Sequence, residues 1–351
     1  MGRSAIRVGV IGAGANTKKF HIPLLQKIDG VEVTHVCNRS VASGTAVAQE
    51  FGIPNVVDSW RELVASDAVD AIVIGTWPYM HREMTIAALE ANKHVMCEAR
   101  MACNAAEARE MLEAAKKKPA LIRQIVPSPF TLHYDATITR LVDDGFLGKL
   151  VHVDVRGAAS AFADRKGAPL HWRHDVALSG NNIMMMGIFY EAMIRWVGEA
   201  ESVMAHASVH VKERTRSETG ERVEVCVPDH IDISARMACG ASAHMQFSTV
   251  LGLAEPTMSF WLYGTEGTIA LEPQASDESM RFRAGKRGGS LETVEVPASE
   301  SSSWRVEEEF IGAIRGSEKI KLTTFETGVR YMMFTDAVTK SYTSESKVMV
   351  H

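Results

Sequence analysis

A doubly wound α/β domain followed by an α+β domain with a large open, mostly antiparallel sheet is predicted by three observations. Residues 6–17, IRVGVIGAGANT, form an apolar run that ends in a glycine-rich loop. Apolar strands and helical stretches then alternate as far as residue 124. Beyond that point the alternation of elements stops, and long segments of alternating apolar and polar residues take over. At 351 residues the chain exceeds what one hydrophobic core serves, so two domains, 1–124 and 125–351, are expected.

Ile6, Val8 and Val10 to Ile11 read as a buried parallel strand, because β-branched side chains suit a pleated surface covered on both faces. Gly12 and Gly14 clear side chains from the bend that follows. Backbone N–H groups and the positive end of the next helix can then approach a pyrophosphate. Thr17 stands where a third glycine would let helix and strand pack closely. The helical stretch reaches Leu25, Pro23 and Gly30 punctuate it, and Val31 to Cys37 completes a βαβ unit. These features define a Rossmann domain that holds a dinucleotide along Gly12, Gly14, Ala15, Asn16 and Thr17. A helix over 42–51, a brief strand at 56–57, a short helix at 60–64 and a buried strand at 71–75 continue the pattern. A helix at 80–91, a strand at 94–97, a helix at 105–117 and a strand at 120–126 complete it before Pro127-Ser128-Pro129.

The end of the second strand selects the cofactor, since an acidic residue there would accept hydrogen bonds from the ribose 2′-hydroxyl of NAD. The chain reads Cys37-Asn38-Arg39-Ser40 instead. No carboxylate repels a 2′-phosphate, Arg39 offers a planar fork to pair with one, and Asn38 and Ser40 add neutral donors. NADP(H) is favoured, with NAD(H) as the other nicotinamide cofactor the loop admits.

In the second half a helix is expected over 134–144, then strands over 151–159, 203–212, 230–238, 242–250 and 259–271. Gly240-Ala241 and the segment 264–267 supply turns. The stretch 285–303 reads as a loop with one strand at 291–296, and helices over 303–315 and 325–342 close the chain. An open sheet with helices on one face leaves the other face to be covered, and a second subunit is the expected cover.

A formal net charge of −5 excludes nucleic acid as the main partner, because that role needs a basic surface. The run Lys116 to Lys118 reads as a helix C-terminus before Pro119. Five scattered cysteines without CxxC spacing predict neither a disulfide framework nor a metal site. The first residues lack a leader pattern and no apolar run approaches the ~20 residues that span a bilayer, so a cytoplasmic protein with no membrane partner is expected.

Several stretches together resemble the glucose-fructose oxidoreductase / inositol dehydrogenase (Gfo/Idh/MocA) family: VGVIGAGANT, FGIPNVVDSWRELVASDAVDAIVIGT, HREMTIAALEANKHVMCEA, DDGFLGKLVHVDV and FWLYGTEGTIAL. The resemblance implies NAD(P) bound at the domain interface, hydride transfer on sugars, polyols or related alcohols and ketones, and a homodimer or homotetramer joined through the open sheet. It places Glu98 near the nicotinamide ribose. It places His81, in the run TWPYMH with Thr76 and Trp77, beside the cofactor, and it assigns Trp172 and Arg173 to the cofactor and pocket.

The chain departs from the family where chemistry is done. The usual Glu-Lys-Pro is Glu98-Ala99-Arg100, so Ala99 takes the lysine position. The usual aspartate and histidine, four residues apart, fall on Met185 and Phe189. Losing one acid-base group typically costs ~10²- to 10⁴-fold in rate, so other groups must act or the reaction must differ. Tyr190, one position past Phe189, His171 and Arg100 are the candidate catalytic residues, with His174 beside His171 in the same loop. Arg100 can hold a carboxylate or polarise a carbonyl, and equally can serve a structural ion pair to Glu98 or Glu107. The run Met184 to Met186 reads mostly as core filler, but with Phe189 in place of the histidine a small, relatively apolar alcohol, ketone or cyclic dihydrodiol is the expected substrate. The alternatives are a lyase that oxidises transiently and returns the hydride, and a silent dinucleotide-binding protein.

Overall fold

The computed structural model describes residues 5–159, 169–252, 257–274 and 280–351. The chain forms two compact units, Met1–Pro127 with Arg305–Met332, and Ser128–Trp304 with Met333–His351. The expected second domain at 125–351 is therefore corrected: a late segment returns to the first unit. Buried polar contacts explain the return. Gln124 Nε2 donates to Glu309 at 2.7 Å, the Met101 N–H to the Tyr331 hydroxyl at 2.5 Å, and the Ile125 N–H to the Thr323 carbonyl at 3.1 Å. Each closes a donor that would cost free energy if buried alone.

In the first unit β1 (Ile6–Ile11) leads through a wide helical turn over Thr17–His21 into α1 (Ile22–Gln26). There follow β2 (Val31–Cys37), α2 (Val41–Phe51), β3 (Asn55–Val56), α3 (Trp60–Ala65), β4 (Ala71–Ile74), α4 (Pro78–Glu90), β5 (His94–Cys97), α5 (Ala105–Lys116) and β6 (Arg123–Ile125). The six strands pair in parallel in the order β3-β2-β1-β4-β5-β6. Order reverses between β1 and β4, and such a switch point opens a ligand crevice at the carboxyl ends of the strands. Val8, Val10, Ala71 to Ile74, and Val95 to Cys97 are buried, as a sheet covered on both faces requires. Ser40 caps α2 by accepting the Ser43 N–H, and Asn104 caps α5 by accepting the Glu107 N–H.

The second unit opens with α6 (Leu132–Asp143) and β7 (Leu150–Ala158), then α7 (Val176–Ser179), α8 (Met186–Val197) and β8 (Ala200–Ser208). A hairpin of β9 (Glu213–Thr215) and β10 (Arg222–Glu224) stands apart from the main sheet. The expected strand over 203–212 ends earlier, at Ser208, and this hairpin follows it. β11 (His230–Met237), β12 (Ser242–Ser248), β13 (Thr257–Gly264), β14 (Gly267–Pro273), β15 (Met280–Lys286) and β16 (Glu292–Thr293) come next. The strand expected at 291–296 is thus only two residues, and β15 was not anticipated. α9 (Val306–Ile314), α10 (Phe325–Ser344) and β17 (Val348–Met349) end the chain.

Among the described residues nine strands form one sheet in the order β16-β15-β14-β13-β7-β12-β11-β8-β17. Pairing is antiparallel except between β7 and β12. Val153, Val155, Ile233, Met245, Phe247, Phe260 and Leu262 point to the covered face. α8 lies on that face through Phe189, whose ring stacks on Phe260 at 5.4 Å and meets Phe247 edge-on at 5.3 Å. No described helix is long and apolar enough to cross a membrane. Among the described residues no three His, Cys, Asp or Glu side chains converge as a metal site would require.

Candidate functional site

At the carboxyl ends of β1, β2 and β4 lies a cavity of about 380 Å³, walled by Gly12, Gly14, Asn38, Arg39, Thr76 and Trp77 among others. Gly12 has φ +82°, and a Cβ there would lie 2.6 Å from Thr76 Cγ2. Gly75, at the end of β4, is as necessary: a Cβ on it would collide with Thr17 Oγ1 and the Gly12 carbonyl. The close approach that a third glycine gives elsewhere is supplied here by the facing strand. Thr17 is accordingly buried, with Oγ1 3.4 Å from the Gly12 carbonyl. The expectation that Thr17 binds the cofactor is corrected, since it braces the loop from behind. Ala15 and Asn16 are exposed at the loop's end.

Asn38 serves the loop, accepting the Ala13 N–H at 2.7 Å while its amide donates to the Ser43 carbonyl at 3.3 Å. Ser40 Oγ donates to Ser43 Oγ at 3.1 Å. Both expected 2′-phosphate donors are thus engaged within the chain. Ser43, which sequence reasoning missed, lines the cavity. Arg39 lines it too, is exposed, and has no ion pair or hydrogen bond among the described residues. Among the described residues the wall holds no carboxylate.

Glu98, just after β5, is tied to the glycine loop: the Asn16 amide donates to its Oε1, and the Ala99 N–H donates to its Oε2 at 3.0 Å. Oε1 also meets His21 Nε2 at 2.9 Å, and His21 Nδ1 meets Glu307 Oε1 at 2.5 Å. His21 and Glu307 were not singled out from sequence. A histidine in an apolar stretch and a glutamate 286 residues away carry no local sign of each other. Burial opposes protonation of His21, but the hydrogen bonds to Glu307 and Glu98 outweigh it and raise the imidazole to about 9. Burial likewise opposes ionisation of Glu98, yet His21 and Asn16 bring its carboxyl below the usual range.

His81 is fully buried, with Nδ1 2.9 Å from the Arg100 carbonyl and Nε2 2.9 Å from the Thr76 carbonyl. It fixes the wall from behind, and burial lowers its pKa. Arg100 is also buried and outside the cavity wall. Of the two expected readings of Arg100, its burial favours the structural one, and it takes no part in the wall of this cavity. Glu107, its suggested partner, accepts the Cys103 N–H at 3.0 Å.

The second unit holds a chamber of about 420 Å³ whose wall includes Phe130, Met184, Met185, Phe189, Phe247 and Met258. Met185 and Phe189, which take the positions of the family's aspartate and histidine, both line this chamber, and Tyr190 does not line it. Its ring is buried against Phe334, centroids 3.7 Å apart, and its hydroxyl accepts the Ala200 N–H at 2.9 Å. The expected catalytic role is disfavoured because the ring is buried and its hydroxyl is held at the junction of α8 and β8. His171 Nδ1 accepts the Arg173 N–H at 3.3 Å, which leaves the neutral ring's proton on Nε2. Burial, reinforced by Arg173 and Arg214, lowers the His171 pKa. His174 is pushed down to about 4 by burial, Arg214 and His171. Arg173 lies over the Trp172 ring at 4.2 Å.

A switch-point cavity with a glycine loop and an acid-free, arginine-bearing wall defines a nicotinamide-dinucleotide-binding oxidoreductase class. The family model described as "Oxidoreductase family, NAD-binding Rossmann fold" matches residues 6–124, and the GFO/IDH/MocA C-terminal domain model matches 136–270. The chain belongs to the Gfo/Idh/MocA oxidoreductase family. It is 25% identical over 245 residues to the levoglucosan dehydrogenase of Pseudarthrobacter phenanthrenivorans, a match covering 66% of this chain and 62% of that protein. The match thus spans less than two thirds of that relative. It is 24% identical over 324 residues to the scyllo-inositol 2-dehydrogenase (NADP(+)) IolU of Bacillus subtilis, covering 92% of both. With trans-1,2-dihydrobenzene-1,2-diol dehydrogenase of Danio rerio it shares 24% over 269 residues, 76% of this chain and 74% of that one. A solved levoglucosan dehydrogenase in complex with NADH and L-sorbose superposes with a TM-score of 0.84 at 21% identity over 99% of each chain, which shows a shared fold.

Proposed function

We propose that the chain is an NADP(H)-preferring oxidoreductase that moves a hydride to or from a small, relatively apolar alcohol or ketone, cyclic dihydrodiols included. The observation that carries the substrate class is the chamber floored by Phe189 and Met185. The wall also holds Ser248, Thr249, Thr257 and Gln274, so a hexose would keep partners on that side, but hydroxyls turned toward Phe130, Met184, Met185, Phe189 or Met258 would be left without them, at about 1–3 kcal/mol each. A ring with few hydroxyls would instead gain about 25 cal/mol per Å² of apolar surface buried. Of the relatives' names, the dihydrobenzenediol dehydrogenase fits this lining best. Ala99 cannot carry a proton, so hydride transfer relies on proximity and orientation, with His171 Nε2–H offered as a hydrogen-bond donor to the substrate oxygen and ordered water exchanging the proton in either direction.

With purified protein and NADPH, cyclic ketones should be reduced and should raise the melting temperature, while hexoses do neither. The reverse pattern removes this substrate class. Product without net change of cofactor identifies the transient-oxidation lyase, and binding without turnover identifies a silent module.

The outer face of the nine-stranded sheet belongs to the same reading as a homo-oligomer surface. Met204 and Tyr263 are 48% and 36% exposed there, and the Arg283 guanidinium lies 5.8 Å from the Trp261 ring centroid. Sedimentation is expected to show a dimer or tetramer, and Met204→Asp to shift it toward monomer. A monomeric parent protein would end this assignment.

A further inference from the structure

We propose that Glu307, His21 and Glu98 form a buried charge device that makes the cradle prefer the oxidised, cationic nicotinamide over the reduced, neutral one, increasingly so at higher pH. The inference rests on the dinucleotide reading above and adds the redox form held and its control.

Geometry carries it. Three segments distant in sequence converge: the turn before α1, the end of β5 and the first turn of α9. His21 and Glu307 are buried, with side-chain exposures of 0% and 1%, while Glu98 keeps 12%. Glu98 is therefore the tip of the triad that reaches the surface, and the Asn16 amide fastens that tip beside the glycine loop. Arg39, after β2, lies on one side of the switch point. A dinucleotide whose adenosine phosphate pairs with Arg39 crosses β1 and sets its other half over the ends of β4 and β5. Glu98 is the carboxylate found at the end of β5.

A protonated imidazole donates from both ring nitrogens and so satisfies both carboxylates at once. The three groups then sum to one negative charge, and loss of the imidazolium proton makes two. Nearby titratable groups do not mask this change. Burial keeps His81 neutral and raises the Cys97 thiol. The pyrophosphate and 2′-phosphate are common to both redox forms, so their effects cancel in the ratio of affinities. Only the nicotinamide charge differs. An added unit charge on the order of 10 Å away favours the cationic form by about three- to tenfold.

The test measures NADP⁺ and NADPH binding to the full-length protein by calorimetry between about pH 7 and pH 10, with NMR of the His21 ring alongside. The ratio of the reduced-form Kd to the oxidised-form Kd should rise about three- to tenfold, centred near the His21 titration, and stay flat in His21→Gln. By reciprocity, His21 in the unmodified protein should titrate about half to one pH unit lower with NADP⁺ bound than with NADPH. Equal His21 titration in the two complexes, or a flat ratio while both forms bind, overturns the inference and leaves the cofactor reading intact. Binding of neither form overturns both.

Discussion

Arg39→Asp is expected to weaken NADPH binding by about 100-fold and to bring NADH binding level with it or ahead. The guanidinium lines the cavity, is exposed, and has no hydrogen bond or ion pair among the described residues, so its donors are available to a ligand. Two charge-assisted hydrogen bonds at about 1.5 kcal/mol each account for roughly two powers of ten in affinity. Aspartate adds repulsion toward a 2′-phosphate and an acceptor pair for a ribose 2′-hydroxyl. Arg39→Lys should fall between, since an ammonium keeps the charge but loses the planar fork. Calorimetry with both cofactors checks this. An unmodified protein that binds NADH as tightly as NADPH would refute the role given to Arg39.

What the sequence made legible was local. β1 and β5 fall where the apolar runs place them, because a parallel strand covered on both faces must be apolar nearly throughout, and β2 is marked by Val31, Val33, Val36 and Cys37 although Glu32 is exposed. The glycine loop and Arg39 were visible for the same reason: the chemistry lies within a few consecutive residues. Gly75 was not, because its work is to admit Thr17, and that contact exists only once β4 lies beside β1. Glu98 was marked by the family resemblance, but its partners His21 and Glu307 were not, since a charge triad joined across 286 residues leaves no periodicity to read. Helical spacing alone turned Tyr190 toward the cleft, whereas the stacking of Phe334 and the Ala200 N–H decide its direction. The return of Arg305–Met332 to the first unit was hidden likewise, because Glu309 and Tyr331 find their partners only in the folded chain.

Arg195→Met is expected to destabilise the second unit by about 3–5 kcal/mol, the usual result of removing one partner from a buried ionic network. Arg195 donates to Asp135 at 2.6 Å, to Glu191 at 2.5 Å and to the Ser128 carbonyl at 3.2 Å, with its side chain 11% exposed. Glu191 also accepts the Ser128 N–H at 2.5 Å, and Trp196 Nε1 donates to Asp135 at 2.9 Å. Without the guanidinium, two carboxylates remain in a site with little water to solvate them. The added substitution Glu191→Gln should recover about 1–3 kcal/mol, because it removes one of the stranded charges. A chain of two units need not unfold in one step, so hydrogen exchange of the α8 amides is a better measure than a single melting temperature. The network anchors the last turn of α8, and the first turn of that helix carries Phe189 into the chamber. Exchange should therefore quicken along all of α8 and KM should rise more than kcat falls, whereas exchange unchanged at Phe189 would show that the network does not position the chamber floor.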